Sequence, residues 1–356
     1  MTDFLVKRDD LRQCRVVESP PPEVGDGEAL LRVDAFGLTA NNVTYGVLGE
    51  AMSYWDFFPA EQGWGRVPVW GFAVVEQSAA EAVEPGTRLF GYLPPSSHLL
   101  VRPARADESG FVDGSPHRAD LPSAYHRYLA TGPDRFHRAD TEAIQMLLRP
   151  LFLTSFLIDD QLADDGLAGR GPVLISSASS KTALAAAFML SQREGVDSIG
   201  LTSPSNAPFV ESLGIYDRVV PYDAIASLDR EPATFVDFAG NADVRSAVHS
   251  RYGDDLAHSM AVGMTHWQGP PPGGAELPGP RPVFFFAPDR VTKRVEDWGR
   301  AGFEERVADA WHPFCEWASG WLEVVPGSGA EALQDAWIEL LDGGPGPSSA
   351  RVLSLP

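Results

Sequence analysis

The hydrophobic and polar positions follow two different patterns along the chain. From residue 28 to residue 101, short runs of β-prone residues are separated by glycine and proline. From about residue 147, apolar residues at helical spacing alternate with short continuous apolar runs. Short punctuated runs are typical of antiparallel sheets, whereas regular alternation of strand and helix is typical of a parallel sheet covered by helices. The patterns therefore predict an α/β protein built in two parts.

The first part is predicted to be a small β-barrel, closed or partly open. Residues 29–35 form a predicted strand followed by a turn at Gly37, and residues 67–76 form a second strand. A proline-glycine turn at residue 85 leads into a third. Residues 103 to about 140 are polar and rich in Asp, Arg, His and Pro, which predicts a loop or short helices. This insertion is either a lid or a plain surface excursion.

The second part is predicted to be a doubly wound parallel sheet. Its predicted strands are residues 173–175, 198–202, 218–222, 234–238, 258–262 and 283–286. Its predicted helices are residues 148–162, 182–192 and 207–213. The end of the chain holds a tryptophan-rich segment, a helix over residues 329–341 and a last strand over residues 350–355. A proline- and glycine-rich loop at residues 270–274 interrupts the pattern.

Composition and charge limit the partners of this chain. Its 356 residues suffice for two domains, and its formal net charge of −21 comes from 28 basic and 49 acidic side chains. Such a surface repels nucleic acid and anionic membranes, so neither is expected as a partner. No apolar run is expected to cross a bilayer, and the first residues lack an apolar signal core. We expect a cytoplasmic protein that acts on a small molecule.

Only two cysteines are present, Cys14 and Cys315. They exclude a metal site of the Cys-x-x-Cys kind and give no support for a disulfide scaffold. We therefore expect no metal site.

The crossover that begins at Val173 carries the main candidate chemistry. In a dinucleotide site, the first strand leads through a tight turn into a helix whose free amides bind the pyrophosphate. Here the turn contains none of the usual glycines. It offers small and hydroxyl side chains and one cation instead, at Ser177, Ser179, Ser180, Lys181 and Thr182. The alternative interpretation is a capped helix after a buried strand.

The ends of the following strands favour NADP(H) over NAD. NAD enzymes place an acid at the end of the second strand. This strand instead ends in hydroxyl and amide side chains, at Thr202, Ser203 and Asn206, which tolerate a 2′-phosphate. Phe238 and Gly240 end the fourth strand and Gly263 ends the fifth, where a glycine lets backbone approach a flat ring.

The order of these segments resembles the medium-chain dehydrogenase/reductase superfamily, especially its zinc-free quinone-reductase and enoyl-reductase branches. The resemblance rests on residues 28–33, 36–42, 67–92, 150–156, 209–222 and 329–355. It implies a GroES-like catalytic domain over residues 1–145, a Rossmann-type domain over 146–295 and a segment over 296–356 that returns to the first domain. Phe36-Gly37 stands where zinc enzymes carry a ligand cysteine. The missing glycines imply a divergent subfamily.

The resemblance also implies hydride transfer in an interdomain cleft, and it places several side chains. Tyr45 is the predicted proton donor, with Tyr54 as its substitute; the alternative is a tyrosine packed at the barrel edge. Asn42 fixes the turn or binds substrate. Thr154 lies where the family's hinge threonine approaches the nicotinamide, and Tyr222 falls in the cofactor-binding stretch.

Aromatic side chains concentrate in residues 51–70 and either wall a pocket or fill the barrel core. His266 and Trp267 are weaker candidates for the cleft. The four histidines in or near the insertion, His98, His117, His126 and His137, have no metal-ligand spacing.

Two functions are compatible with the sequence. The first is an NADP(H)-dependent oxidoreductase acting on a carbonyl, quinone or enoyl compound. The second is a member of the same fold that no longer binds a nicotinamide cofactor and serves as a binding or accessory protein or as another enzyme. The apolar run at residues 283–286 predicts a sheet edge that pairs two copies into a homodimer, or else an interior strand.

Overall fold

The structure is a computed structural model, and it describes residues 1–167, 169–262 and 277–355. The strands of these residues are β1 Thr2–Lys7, β2 Asp10–Glu18, β3 Ala29–Leu38, β4 Trp64–Gly65, β5 Val69–Ser78, β6 Arg88–Leu93, β7 His98–Val101, β8 Pro103–Asp107, β9 Gly110–Asp113, β10 Arg127–Ala130, β11 Val173–Ile175, β12 Ser198–Thr202, β13 Arg218–Pro221, β14 Ala233–Asp237, β15 Leu256–Ala261, β16 Val283–Phe284, β17 Glu323–Ser328 and β18 Ser349–Ser354. The helices are α1 Ala40–Val47, α2 Glu142–Asp164, α3 Lys181–Ser191, α4 Ala207–Ser212, α5 Ala242–Tyr252, α6 Ala287–Ser319 and α7 Gly329–Leu341.

The chain divides into two compact units. Unit 1 comprises Met1–Leu147 and Leu322–Pro356, and unit 2 comprises Leu148–Trp321. The return to unit 1 therefore begins at Leu322, later than the residue 296 expected from sequence. Residues up to 319 belong to α6, whose Trp311 packs on Phe152 of α2 with ring centroids 5.2 Å apart. This packing keeps the tryptophan-rich segment in unit 2.

Unit 1 is built on two largely antiparallel sheets, and most of its buried apolar residues form one cluster. Its larger sheet runs in the order β17-β18-β3-β5-β6-β10-β9-β8, with β7 also paired to β3, and β1, β2 and β4 form a smaller one. The expected turn at Gly37 is wrong, because Gly37 lies inside β3 and pairs with Trp70. The last strand, β18, pairs antiparallel with β3 and parallel with β17. The predicted return of the chain end to the first part therefore occurs through the sheet.

The polar insertion is part of this sheet. β8, β9 and β10 form antiparallel pairs, and β10 pairs with β6. The expectation of a loop, short helices or a lid is therefore wrong for these strands, although short 3-10 turns at Pro116–Arg118 and Ser123–Tyr125 lie between them. The sequence pattern did not predict these strands because they are short and carry charged side chains, as strands near a sheet edge often do.

Unit 2 is a six-stranded parallel sheet in the order β13-β12-β11-β14-β15-β16. The order reverses beside β11, which is the switch point where such folds bind ligands, beyond the carboxyl ends of the strands. The predicted α/β class and the parallel sheet are confirmed. The predicted strands at 218–222, 234–238 and 283–286 each end earlier than expected, so Tyr222 and Phe238 lie just beyond the sheet.

Within the described residues, one helical stretch, Ala139–Asp164, is long and apolar enough to span a membrane by length and composition. The expectation that no run of the sequence reaches this length is therefore wrong. Of its most apolar window, 56% is buried inside the structure. Such burial is typical of the core helix of a globular protein.

Candidate functional site

The turn between β11 and α3 has an unusual backbone. Ser177 adopts φ +52°, in the left-handed region. That conformation costs a residue with a side chain about 1–2 kcal/mol, which is why glycine is common in such turns. Here the Ser177 N–H donates to the Tyr222 hydroxyl over 3.0 Å. The Tyr222 contact therefore helps to hold a turn that other sequences make with glycine.

The turn packs closely on the neighbouring strand. A Cβ atom added to Gly200 of β12 would lie 3.0 Å from the Cβ of Ala178, so a side chain there would force one of the two segments to shift. The buried Tyr216 hydroxyl lies 3.1 Å from the carbonyl oxygen of Ala178 and 3.3 Å from that of Ala183. Sequence reasoning missed Tyr216. The available signal was the Tyr216 hydroxyl itself, because a hydroxyl that becomes buried among apolar groups needs a hydrogen-bond partner.

The start of α3 presents positive potential. Ser180 caps the helix, and its side chain accepts the Ala183 N–H over 3.3 Å. The N–H groups of Ser179 and Thr182 have no acceptor among the described residues. Lys181 is half-buried, and burial lowers the pKa of its ammonium group to about 8. Free amides, the helix dipole and a lysine together favour an anion at this point.

The predicted residues at the end of β12 lie beside this turn. The Asn206 side-chain amide donates to the Ser179 hydroxyl over 3.0 Å. Thr202 is buried, whereas Ser203 is half-buried and its hydroxyl lies 3.0 Å from that of Ser205. Residues 202–206 carry no carboxylate. Uncharged donors therefore stand where an acid would select NAD.

A buried carboxylate organises the end of β14. Asp237 Oδ1 accepts hydrogen bonds from the Ser176 hydroxyl over 2.7 Å and from the Gly240 N–H over 3.0 Å. Its other oxygen lies 3.7 Å from Arg245 Nη1. Gly240 has φ +60°, and Phe238 is half-buried. Asp237 was missed as a site residue, although a single carboxylate at the end of an apolar strand was a visible signal.

Gly263, His266 and Trp267 lie outside the described residues. Thr154 is half-buried on α2, where its neighbour Ser155 donates to the carbonyl oxygen of Thr182 over 2.7 Å.

Two of the predicted catalytic residues lie on α1 of unit 1. The buried Asn42 accepts the Thr39 N–H over 2.7 Å and donates to the carbonyl oxygen of Pro68 over 2.7 Å. Both ends of its amide are thus used to fix the start of α1. This geometry favours the turn-fixing role among the two roles expected of Asn42.

Tyr45 is only 6% exposed, and its ring centroid lies 4.6 Å from that of the half-buried Tyr54. Burial, and then the nearby Tyr54 hydroxyl, raise the pKa of Tyr45 to about 12. Burial also raises the pKa of Tyr54. The structure therefore brings the predicted donor and its substitute together in an environment that keeps both protonated at neutral pH.

The aromatic segment contributes to the core of unit 1, which was one of its two expected roles. Trp55, Phe57 and Phe58 are buried in the core of unit 1, while Tyr54 and Trp70 stay half-buried beside Tyr45. Sequence reasoning missed Tyr92 and Tyr125, whose ring centroids lie 4.6 Å apart in the same place. They come from β6 and from the insertion, and no sequence spacing links them to residues 51–70.

The candidate histidines make separate contacts. His98 lies 3.0 Å from Glu76, His117 lies 3.2 Å from the carbonyl oxygen of Phe57, and His137 lies 2.9 Å from Glu142. In the part of the chain that the structure describes, no group of three or more His, Cys, Asp or Glu residues could hold a metal ion.

Comparisons with known proteins agree with this architecture. Residues 36–345 match the model of the family described as "Protein of unknown function (DUF2855)". No curated protein matches the sequence.

Solved structures match over the whole chain. CurA from Vibrio vulnificus has a TM-score of 0.66 at 14% identity, covering 100% of this chain and 99% of that one. A quinone oxidoreductase from Coxiella burnetii has a TM-score of 0.59 at 16% identity, with the same coverage. The yhdH oxidoreductase from Salmonella enterica, solved in complex with NADP, has a TM-score of 0.58 at 14% identity and covers 100% of both chains. At these identities the likeness concerns the fold, and it confirms the fold expected of a medium-chain reductase.

Proposed function

This chain belongs to the DUF2855 family of proteins of unknown function, and we propose that it is a zinc-independent, NADP(H)-dependent oxidoreductase acting on a carbonyl, quinone or enoyl substrate. The observation that carries the proposal is the turn between β11 and α3. This turn lies at the switch point of a Rossmann-type sheet. It leads into the start of α3, whose first residue is the half-buried Lys181. In a chain of net charge −21, a local cation at this position favours an anionic ligand.

The side chains at this edge fit NADP(H). Ser179, Ser180, Lys181 and Thr182 would hold the pyrophosphate, with Ser177 shaping the turn. Thr202, Ser203 and Asn206 would face the ribose and its 2′-phosphate, with Tyr222 beside them. Phe238, Gly240, Gly263 and Thr154 would border the nicotinamide. When bound, the cofactor supplies the hydride.

Tyr45 supplies the proton in this proposal. Its pKa of about 12 keeps the hydroxyl protonated at neutral pH, so it is available as a donor. A polarised oxygen that gains negative charge during reduction would take this proton. Tyr54 is the substitute donor, and Asn42 holds α1 so that Tyr45 keeps its place.

The solved relatives support the choice of cofactor. CurA from Vibrio vulnificus was solved in complex with NADPH, and it matches this chain with a TM-score of 0.65 at 12% identity. The yhdH oxidoreductase was solved with NADP.

Titration with NADPH, followed by tryptophan fluorescence, tests the proposal. We expect saturable quenching at micromolar cofactor and weaker quenching with NADH. The Lys181→Ala variant should weaken NADPH binding about tenfold, because it loses one charge contact to phosphate. Lys7→Ala, at a lysine on β1 of unit 1, is the matched control and should not change it. Absence of binding at millimolar NADPH would exclude the proposal.

One observation favours the second candidate function, a member without nicotinamide use. The Ser177 N–H, which would face a pyrophosphate in a glycine-rich turn, already donates to Tyr222. A cofactor must therefore bind with one amide fewer or displace this contact. In that case the protein serves as a binding or accessory protein or as another enzyme, and the same titration separates the two.

We also propose a homodimer in the cytoplasm. β16 is the last strand in the order of the sheet, and Val283 and Phe286 are 52% and 53% exposed. An exposed apolar edge strand is well suited to pairing with a second copy. The low cysteine content, two in the chain, suits a reducing compartment.

A further inference from the structure

Six aromatic side chains of unit 1 form one continuous group, which we call the aromatic cluster. Its members are Tyr45, Tyr54, Phe57, Trp70, Tyr92 and Tyr125. Tyr125 contacts four of the other five rings, with centroids 6.4 Å from Tyr54, 5.3 Å from Phe57, 6.1 Å from Trp70 and 4.6 Å from Tyr92. Tyr92 of β6 also contacts four of the other five, so one of the two most connected rings comes from the insertion.

The insertion is anchored on the cluster by polar contacts. The Tyr128 hydroxyl donates to the carbonyl oxygen of Tyr92 over 2.7 Å, and His117 Nε2 lies 3.2 Å from that of Phe57. Arg118 and Asp113 form an ion pair at 3.2 Å, with both side chains only 1% exposed. Breaking such a pair is costly because it leaves a buried charge without a partner. Tyr125 is thus carried by a segment that is fixed to the aromatic cluster at several points.

The aromatic cluster holds two buried polar atoms that lack partners. The Tyr92 hydroxyl and the Trp70 indole nitrogen Nε1 have no hydrogen-bond partner among the described residues. Both lie close enough to the Tyr45 hydroxyl to lower its pKa, although neither meets the geometry of a hydrogen bond. An unsatisfied buried polar group costs about 1–3 kcal/mol. A ligand oxygen placed between them would satisfy both and would lie beside Tyr45.

The aromatic cluster carries no charged group of its own. Burial is the main cause that raises the pKa of all four tyrosines, and the electrostatic causes come only from other tyrosines. The buried Arg118 of the insertion is paired with Asp113, so a carboxylate or a phosphate would have to compete with that ion pair. Tyr54, Trp70 and Tyr125 are half-buried, so their rings keep surface for stacking.

We propose that the aromatic cluster binds a flat, uncharged aromatic carbonyl compound, whose oxygen accepts hydrogen bonds from Tyr92 and Trp70, and that Tyr125 determines this specificity. The proposal rests on the proposed function in that Tyr45 would protonate the same oxygen. Because the Tyr92 hydroxyl and Trp70 Nε1 are buried, the oxygen would reach them when the Tyr125 ring, which contacts both side chains, turns aside.

Equilibrium dialysis without cofactor tests the proposal, so its outcome does not depend on NADPH binding. Three probes are compared: 2-acetonaphthone, the aliphatic ketone 2-octanone, and naphthalene, which lacks the oxygen. The native protein should bind 2-acetonaphthone at least tenfold more tightly than either of the others. Equal affinities for 2-acetonaphthone and 2-octanone would overturn the proposed ligand class.

Two sets of variants test the named residues. Tyr125→Leu should reduce the preference for 2-acetonaphthone over 2-octanone about tenfold. Trp64→Leu, at a half-buried ring of unit 1 outside the aromatic cluster, should leave it unchanged. If Tyr125→Leu fails to fold by circular dichroism, Tyr125→His retains a flat ring and should lose part of the preference.

Tyr92→Phe and Trp70→Phe remove one donor each and keep an aromatic ring. Each should weaken 2-acetonaphthone binding about fivefold without changing naphthalene binding. An unchanged preference in Tyr125→Leu would remove the specificity role, and equal effects on both naphthalene compounds would remove the donor role. Loss of NADPH binding with these results intact would reject the oxidoreductase but not the ligand site.

Discussion

At the scale of single residues, Lys181 is the group whose environment most affects the proposed chemistry. Its ammonium group is half-buried in a strongly acidic protein, and burial lowers its pKa to about 8. A lysine that loses its proton near neutral pH gives the cofactor site a pH dependence that an exposed lysine would not give.

NADPH affinity should therefore fall as the pH rises above about 8. Below that pKa the free protein carries the charge, and above it binding must first restore the proton. Between pH 7 and pH 9 the dissociation constant should increase roughly tenfold, since the charged fraction falls by that factor. Fluorescence titration at several pH values measures this. Lys181→Arg, which stays charged, should give a flat profile; a native profile that is equally flat would contradict the assignment.

Tyr45 leads to a second prediction about catalysis. Tyr45→Phe should lower kcat for an active substrate about 100-fold, because it removes the proton donor while leaving the ring in place. KM should change less than twofold. Tyr54→Phe is the matched control and should lower kcat much less, because Tyr54 is only the substitute donor. A larger loss in Tyr54→Phe would reverse the two roles.

Much of this site could be predicted from the sequence, and the rest depends on contacts between distant segments. The turn at Ser177–Thr182 and the neutral end of β12 follow from local order, because strand and helix alternate there. Tyr216, Asp237 and Tyr92 could not be identified in the same way. Each makes a hydrogen bond or ring contact with a distant residue: Tyr216 with Ala183, Asp237 with Ser176 and Tyr92 with Tyr45, all at least 33 positions apart.

At the scale of elements, the packing of α6 on α2 is fixed by buried charges. Asp160 of α2 accepts hydrogen bonds from Arg290 over 2.6 Å and from Arg294 over 2.7 Å. The two arginine side chains are 7% and 9% exposed. Both also contact Asp164, so the two helices share a network rather than a single pair.

Asp160→Ala should lower the free energy of unfolding by about 3 kcal/mol, because it leaves two buried guanidinium groups short of a partner. Urea denaturation followed by circular dichroism measures the change. Asp297→Ala removes an acid that contacts Arg294 but is 38% exposed, and it should cost less than about 1 kcal/mol. Similar losses in both variants would show that burial does not govern this network.

The same elements show where a pattern of hydrophobic residues fails. α6 continues past a backbone break at Gly299, where φ is +72°, and its mixed polar sequence gave no helical signal. β8 was missed because its charged side chains obscure the strand pattern, and β9 was missed because it has only four residues. All three elements are stabilised by contacts with the rest of their unit, and the local sequence does not reveal those contacts.

At the scale of the whole molecule, the order of segments carried more information than any single motif. Each missing glycine weakened the nucleotide-binding fingerprint, yet the strand order β13-β12-β11-β14-β15-β16 is that of a dinucleotide-binding sheet. There is a physical reason why the sheet tolerates the missing glycines. One strained residue at Ser177 costs little compared with the burial of a whole sheet, and Tyr222 supports it.

The exposed edge of this sheet leads to the last prediction, a homodimer through β16. β16 pairs with β15 on one side and has no strand partner on its other side among the described residues. Two copies that meet there would form a continuous sheet and cover Val283 and Phe286. Sedimentation at micromolar concentration should give twice the chain mass of 38.5 kDa.

Val283→Lys should shift this equilibrium towards the monomer, because it would bury two like charges at the joined edge. Val47→Lys is the matched control, since Val47 is a valine of unit 1 that is 68% exposed, and it should leave the mass unchanged. The cofactor site does not include the edge, so NADPH binding should persist in the monomeric variant. A native protein that sediments as a monomer would exclude the dimer, and dissociation by both lysine variants would show that net charge rather than the edge controls association.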